Sequence, residues 1–208
     1  KGDGYDKIVT EEEIRMLVNE GQETGVIHED EKEMIENIFE LDDTVLSEIM
    51  THRTNVVALE LDTSFDEVLA VAVNEKFTRI PVFKDSIDNI VGIIHTKDLL
   101  TIAIEGLKTP FSLDNILREA FFLPETKTVN TAFREMQRAR AQLAVVIDEY
   151  GGTAGIITME DILEEIVGNM QDEYDDEQEE IVRIDDNTFI VDGVTPLDEL
   201  SEEIDVEF

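Results

Sequence analysis

The sequence contains a near-copy of one of its own segments, and this repeat limits the fold more than any other feature. Gly92-Ile93-Ile94-His95-Thr96-Lys97-Asp98-Leu99-Leu100 matches Gly155-Ile156-Ile157-Thr158-Met159-Glu160-Asp161-Ile162-Leu163, 63 residues further on. The same spacing pairs Val82 with Val145 and Asp85 with Asp148. Upstream, Thr63–Leu69 resembles Lys127–Phe133 at a spacing of 64, so one insertion or deletion separates the halves. A repeat of this length is a supersecondary unit too small to cover its own apolar surface, and it gains a core by packing on its copy.

Each copy reads in the same order. A short strand comes first, near Val56-Val57-Ala58 and again at Phe121-Phe122-Leu123. A capped helix follows, from about Thr63 to Asn74 and from Thr128 to Arg138. Two strands come next, Arg79–Phe83 with Ile90–His95, and Leu143–Ile147 with Thr153–Thr158; β-branched residues fill them. A second helix starts near Thr96 and Met159. The expected fold class is therefore α+β: two β-α-β-β-α repeats packed sheet to sheet around one shared core.

The flanks differ from the repeats. Residues 1–45 read as an acidic helical segment. Thr10 caps Glu11–Glu13, Gly21 and Gly25 interrupt the pattern, and Met34, Ile35, Ile38, Phe39 and Leu41 recur at helical spacing. A short helix holds Val45, Leu46, Ile49 and Met50. The repeats occupy 46–108 and 109–170. Residues 171–180, with Asp172-Glu173-Tyr174-Asp175-Asp176-Glu177, read as an acidic linker. In 181–208, Ile181–Ile184 and Thr188–Val191 read as a hairpin, and Thr195-Pro196 opens a helix. This last stretch is short for a domain, and we expect it to be cut from a longer one.

Charge excludes some functions. Fifty-one acidic residues stand against 16 basic ones, a formal net charge of -35. Such a surface repels nucleic-acid backbones and anionic headgroups. It serves solubility, or it attracts hard divalent cations such as Mg2+. The absence of cysteine removes disulfide and thiolate chemistry. No apolar run is long enough to span a bilayer. Gly151-Gly152 lacks the Lys-Ser/Thr ending of a phosphate loop and sits between strands, so it reads as a turn. No catalytic set assembles in the sequence, and we expect no enzyme activity.

The repeat resembles the CBS domain, a module that works in pairs and commonly binds adenine nucleotides. Its wording is similar to that of the CorC/HlyC group, hemolysin-like proteins related to the CNNM magnesium and cobalt transporters. The strings that carry the likeness are Ile49-Met50-Thr51, Phe77-Thr78-Arg79-Ile80-Pro81-Val82-Phe83, Asn89-Ile90-Val91-Gly92, Asp148–Gly155 and Thr158–Gly168. The tail, with Asp192-Gly193 and Leu197-Asp198-Glu199-Leu200, looks like the start of the transporter-associated domain of that group. That domain resembles part of a flavin-binding fold, but the segment is too short for flavin to be expected.

By this resemblance the ligand is AMP or ATP, alone or with Mg2+. Thr158 and Asp161 match the Gly-x-x-Thr-x-x-Asp pattern of nucleotide-binding repeats. Their spacing alone also suits a helix start, with Thr158 as cap and Asp161 as first-turn acid. The resemblance assigns Asp161 to the ribose hydroxyls and Thr158 to phosphate. It adds Thr51, Phe77, Arg79, Ile80 and Pro81 from the first repeat, with the base between Phe77, Ile80 and Pro81 and Arg79 at phosphate. In the first repeat His95 replaces the threonine and Asp98 is kept, so a weaker second site is expected there. His95 without a ligand-spaced partner is a poor metal signal, and no metal ligand is assigned. The resemblance further implies a homodimer, a membrane domain in the same full-length chain, and a place on the cytoplasmic side of the membrane. The resulting expectation is a regulatory module that reads adenine nucleotide for a divalent-cation transporter. The alternative is a dimeric scaffold with a vestigial site.

Overall fold

The computed structural model describes residues 10–105, 111–168, 181–185 and 188–191. The chain divides into two compact units, Lys1–Asn169 and Met170–Phe208. In the second unit the described residues form an antiparallel hairpin, Ile181–Asp185 and Thr188–Val191, as its sequence suggests. The acidic linker and the helix expected at Thr195-Pro196 lie outside the described residues.

In the first unit, α1 (Glu11–Glu23) starts where Thr10 accepts from the Glu13 amide, and the Glu13 side chain bonds back to the cap. Gly21 does not interrupt this helix. It lies inside it, and a Cβ there would come within 2.7 Å of Ile27 Cδ1, which packs over the position. Gly25, at φ +74, lies in the turn that follows. Helices α2 (Glu29–Glu40) and α3 (Leu46–Ile49) complete the N-terminal segment.

The first repeat contains β2 (Leu59–Glu60), α4 (Phe65–Glu75), β3 (Arg79–Lys84), β4 (Ser86–His95) and α5 (Thr96–Glu105), preceded by the two-residue β1 (Thr51–His52). The second contains β5 (Phe121–Pro124), α6 (Val129–Ala139), β6 (Leu143–Ile147), β7 (Thr153–Thr158) and α7 (Met159–Val167). Within each, the first strand pairs parallel to the second, and the second pairs antiparallel to the third. The opening strand of the first repeat lies at Leu59–Glu60, not at Val56-Val57-Ala58. Residues 56–58 are in no strand, and Val56 and Val57 instead line a cavity described below.

The repeats exchange backbone. Strand β1, which precedes the first repeat, pairs antiparallel with β7 of the second, Thr51 opposite Ile156. Arg118, which precedes the second repeat, exchanges both amide–carbonyl bonds with Ile93 of β4, each 2.9 Å. Ile93 and Ile156 are equivalent in the repeat, so Thr51 and Arg118 are too. Glycine makes both approaches possible. A Cβ at Gly155 would lie 2.3 Å from the Thr51 carbonyl oxygen, and one at Gly92 would lie 2.7 Å from that of Arg118.

Burial corrects the expectation of one shared core. The first repeat has its own cluster, with Val68, Ile80, Val82, Ile94 and Leu99. The second has another, with Ala132, Met136, Ala144, Val146, Ile157 and Ile162. Side chains alternate along a strand, so each sheet turns one row to its own helices. Ile93 and Val145, out of phase with those rows, are buried in neither cluster. They face the other side of each sheet, where β4 of the first repeat packs against β7 of the second, so the repeats meet sheet to sheet as expected while each keeps a core of its own.

The N-terminal segment is docked on the second repeat. Leu41 and Leu46 join its core. The amides of Leu46 and Ser47 donate to the carbonyls of Lys127 and Glu125 at 2.9 and 3.1 Å, and Asn130 bonds Asp42. Asn37 Nδ2 donates to the Ile166 carbonyl of α7 at 3.4 Å.

Candidate functional site

A cavity of about 380 Å³ opens between the repeats, within the range of small-molecule sites, about 300–1,000 Å³. Both repeats build its wall. Phe77, Arg79 and Pro81 come from the end of α4 and from β3, Thr51 from β1, and Thr158 and Asp161 from the β7–α7 junction.

Local structure explains each placement. Helix α4 ends at Lys76 in the left-handed conformation, φ 58, and this sharp turn brings Phe77 to the mouth, where it stays 48% exposed. Arg140 ends α6 in the same way at φ 55, so the turn is a property of the repeat. Along β3, Arg79 and Pro81 share one face and line the cavity. Ile80 between them turns to the core and is 0% exposed. The expectation that the Ile80 side chain walls the site is therefore corrected by strand alternation.

Thr158 and Asp161 form a reciprocal cap. The Asp161 amide donates to Thr158 Oγ1 at 3.1 Å, and the Thr158 amide donates to Asp161 Oδ2 at 2.8 Å. The cap fixes both side chains at the cavity wall. It leaves Asp161 Oδ1 and the Thr158 hydroxyl proton with no partner among the described residues. Lys76 and Glu160 add a cation and a second carboxylate to the lining. Arg79 has no carboxylate within ion-pair distance among the described residues. A guanidinium, a carboxylate oxygen and a hydroxyl proton without partners among the described residues, together with the Phe77 ring, thus surround one space.

The sequence reading missed Asn55, Lys76, Thr78, Gln142 and Glu160. The repeat could have found two of them. Gln142 lies 64 residues after Thr78, and both line the cavity.

The expected weaker site falls at a second cavity, of about 450 Å³. His95 lines it. Asp98 does not, because its carboxylate is held by Arg118 at 2.8 and 3.3 Å. Partial burial, then the nearby Arg118 and Arg79 guanidinium groups, hold the His95 pKa below its usual 6.5. Among the described residues, no cluster of three histidines or carboxylates could hold a metal, and no helix is long and apolar enough to cross a membrane.

Two β-α-β-β-α units with exchanged edges and a ligand-sized cavity between them define a CBS pair, and the CBS-domain family profile matches residues 46–105 and 114–168. Hemolysin C of Brachyspira hyodysenteriae is 37% identical over 195 residues, covering 94% of this chain and 71% of that protein. The UPF0053 protein YugS of Bacillus subtilis (strain 168) is 38% identical over 200 residues, 96% of this chain and 46% of YugS. The chain thus spans about half the length of YugS. Among solved structures, the CBS domain of a bacterial CNNM/CorC family Mg2+ transporter superposes with a TM-score of 0.73 at 38% identity, covering 79% of this chain and all of that one. A CBS domain of that transporter family in complex with ATP superposes with a TM-score of 0.63 at 37% identity, covering 67% of this chain and 99% of that one. The chain belongs to the hemolysin C and CNNM/CorC family of CBS-pair proteins.

Proposed function

We propose that this chain is the nucleotide-sensing module of a divalent-cation transporter, and that it binds AMP or ATP in the cavity between its repeats. The observation that carries this reading is the convergence of Thr51, Phe77, Arg79, Pro81, Thr158 and Asp161 on one cavity. In this reading Asp161 Oδ1 accepts from the ribose hydroxyls, Phe77 and Pro81 flank the base, and Arg79 with Lys76 meets phosphate. The ATP-bound relative supports the ligand class. The described residues supply too few ligands for a Mg2+ site of their own, so the ion would come coordinated to the phosphates.

The route out of the site is α7. Its first turn carries Thr158 and Asp161, and its last carries the Ile166 carbonyl that holds Asn37 of α2. A nucleotide with different affinities for two settings of α7 biases the acidic N-terminal helices. By family resemblance, a membrane domain on the cytoplasmic side of which this module sits would receive that change.

The module also dimerises in this reading. Leu100 and Ile104, one helical turn apart on α5, are 60% and 85% exposed, an apolar pair suited to a second copy.

Isothermal titration of AMP and Mg-ATP tests the site. Asp161→Asn keeps a side chain able to cap α7 but removes the charge. We expect saturable binding to the parent chain and a loss of at least about tenfold in the variant, the worth of a charge-assisted bond. Absence of binding by the parent chain would leave the dimeric scaffold as the function.

A further inference from the structure

The second cavity is not a faded copy of the first. Repeat equivalence gives the comparison position by position. Thr51 in the first cavity corresponds to Arg118 in the second, since each bridges the equivalent strand residue. Lys76 corresponds to Arg140, both helix ends with positive φ. Thr158 corresponds to His95, and the aromatic Phe77 to Ala141. Asp161, which lines the first cavity, corresponds to Asp98, which does not line the second and whose Oδ2 is held twice by Arg118.

Every change has the same chemical sense. The groups suited to a nucleoside are displaced: the aromatic at the Phe77 position becomes Ala141, leaving Phe121 as the aromatic of the lining, and the aspartate leaves the lining for an ion pair with Arg118. The groups suited to an anion increase, because Arg118, Arg140 and Arg79 share the wall with His95, against the single lining carboxylate of Glu119. Three guanidinium groups on one cavity stand out in a chain with 16 basic residues among 51 acidic ones. Arg140 and Arg79 have no ion-pair partner among the described residues. Planar guanidinium forks match phosphate oxygens two at a time, and a cavity with low-dielectric walls strengthens the attraction.

We propose that this second cavity is a separate site for a compact, multiply charged phosphate anion without a nucleoside, held by Arg118, Arg140 and Arg79. Arg79 also lines the first cavity, so the two sites share one guanidinium, and Arg118 and Arg140 are the arginines that belong to the second site alone.

Sodium pyrophosphate is the probe, titrated calorimetrically into this chain at constant ionic strength set by chloride. Arg140→Asn suits the test because asparagine tolerates the left-handed conformation at that position. Arg118→Gln breaks only a half-exposed ion pair, of a kind worth little to stability. We expect saturable binding to the parent chain, a loss of at least about tenfold in each arginine variant, and unchanged affinity in Asp161→Asn. Melting temperatures of the variants close to the parent value accompany that result. No binding to the parent chain, or binding by both arginine variants as tight as the parent's, overturns the proposal. A loss confined to Asp161→Asn also overturns it, by placing pyrophosphate in the first cavity. AMP saturating at two per chain, with the second equivalent displacing pyrophosphate, overturns the selectivity.

Discussion

His95 occupies the place at the end of β4 that Thr158 holds at the end of β7, and the exchange replaces a hydroxyl with a titratable base. Partial burial and the Arg118 and Arg79 charges depress its pKa, with a smaller push from Lys97, while Asp98 opposes them. The folded state therefore holds this proton more weakly than the unfolded chain does. Between the depressed value and 6.5 the unfolded state binds more protons, so stability rises with pH and falls as the medium is acidified. In urea denaturation at pH 5.5 and 7.5, His95→Gln should lose less stability on acidification than the parent chain. Equal losses would show that the ring titrates alike in both states. At this scale the sequence was informative where a residue acts through a fixed local spacing, as Thr158 and Asp161 do at a helix start. It was misleading at Ile80, whose neighbours line the cavity while strand alternation turns it inward.

The elements show a sharper division. Helices α4 to α7 and strands β3 and β5 to β7 follow from apolar periodicity and capping residues, and they fall within a few residues of their expected limits. Strand β1 and the Arg118 bridge do not. One is two residues long and the other is a single residue, so neither has a period, and each pairs with a strand of the other repeat. Their trace in the sequence is the pair Gly92 and Gly155, which reads equally well as mere absence of a side chain. Gly155→Ala would force a methyl to 2.3 Å from the Thr51 carbonyl oxygen and 2.9 Å from Met50 Sδ. We expect it to cost about 1–3 kcal/mol in chemical denaturation, as overpacking does. It should also weaken nucleotide binding by moving Thr51, whereas Ile162→Ala should cost about 2–5 kcal/mol through the second core alone. Equal stability of Gly155→Ala and the parent would mean that β1 holds no fixed place on β7.

At the scale of the whole molecule, a net charge of -35 opposes any association of two copies, and the apolar α5 surface favours it. Light scattering after size exclusion should find a dimer whose share grows with salt, because ions screen the repulsion. Leu100→Glu with Ile104→Glu should give a monomer at every salt concentration. A parent chain that is monomeric throughout would remove the dimer from the proposal. The repeat foretold the paired architecture, but not that the N-terminal helices would fasten to the second repeat, since nothing in their own pattern names a partner. That attachment, with the crossing of β1 to β7, also matters while the chain is being made. A ribosome releases Thr51 and the α2 segment about a hundred residues before their partners on β7 and α7. At translation speeds of about 5–20 residues per second, these surfaces wait roughly 5–20 s uncovered. Codon choice between the two halves thus sets how long the nascent chain is open to chaperones and to aggregation, and yield can change without any change of residue.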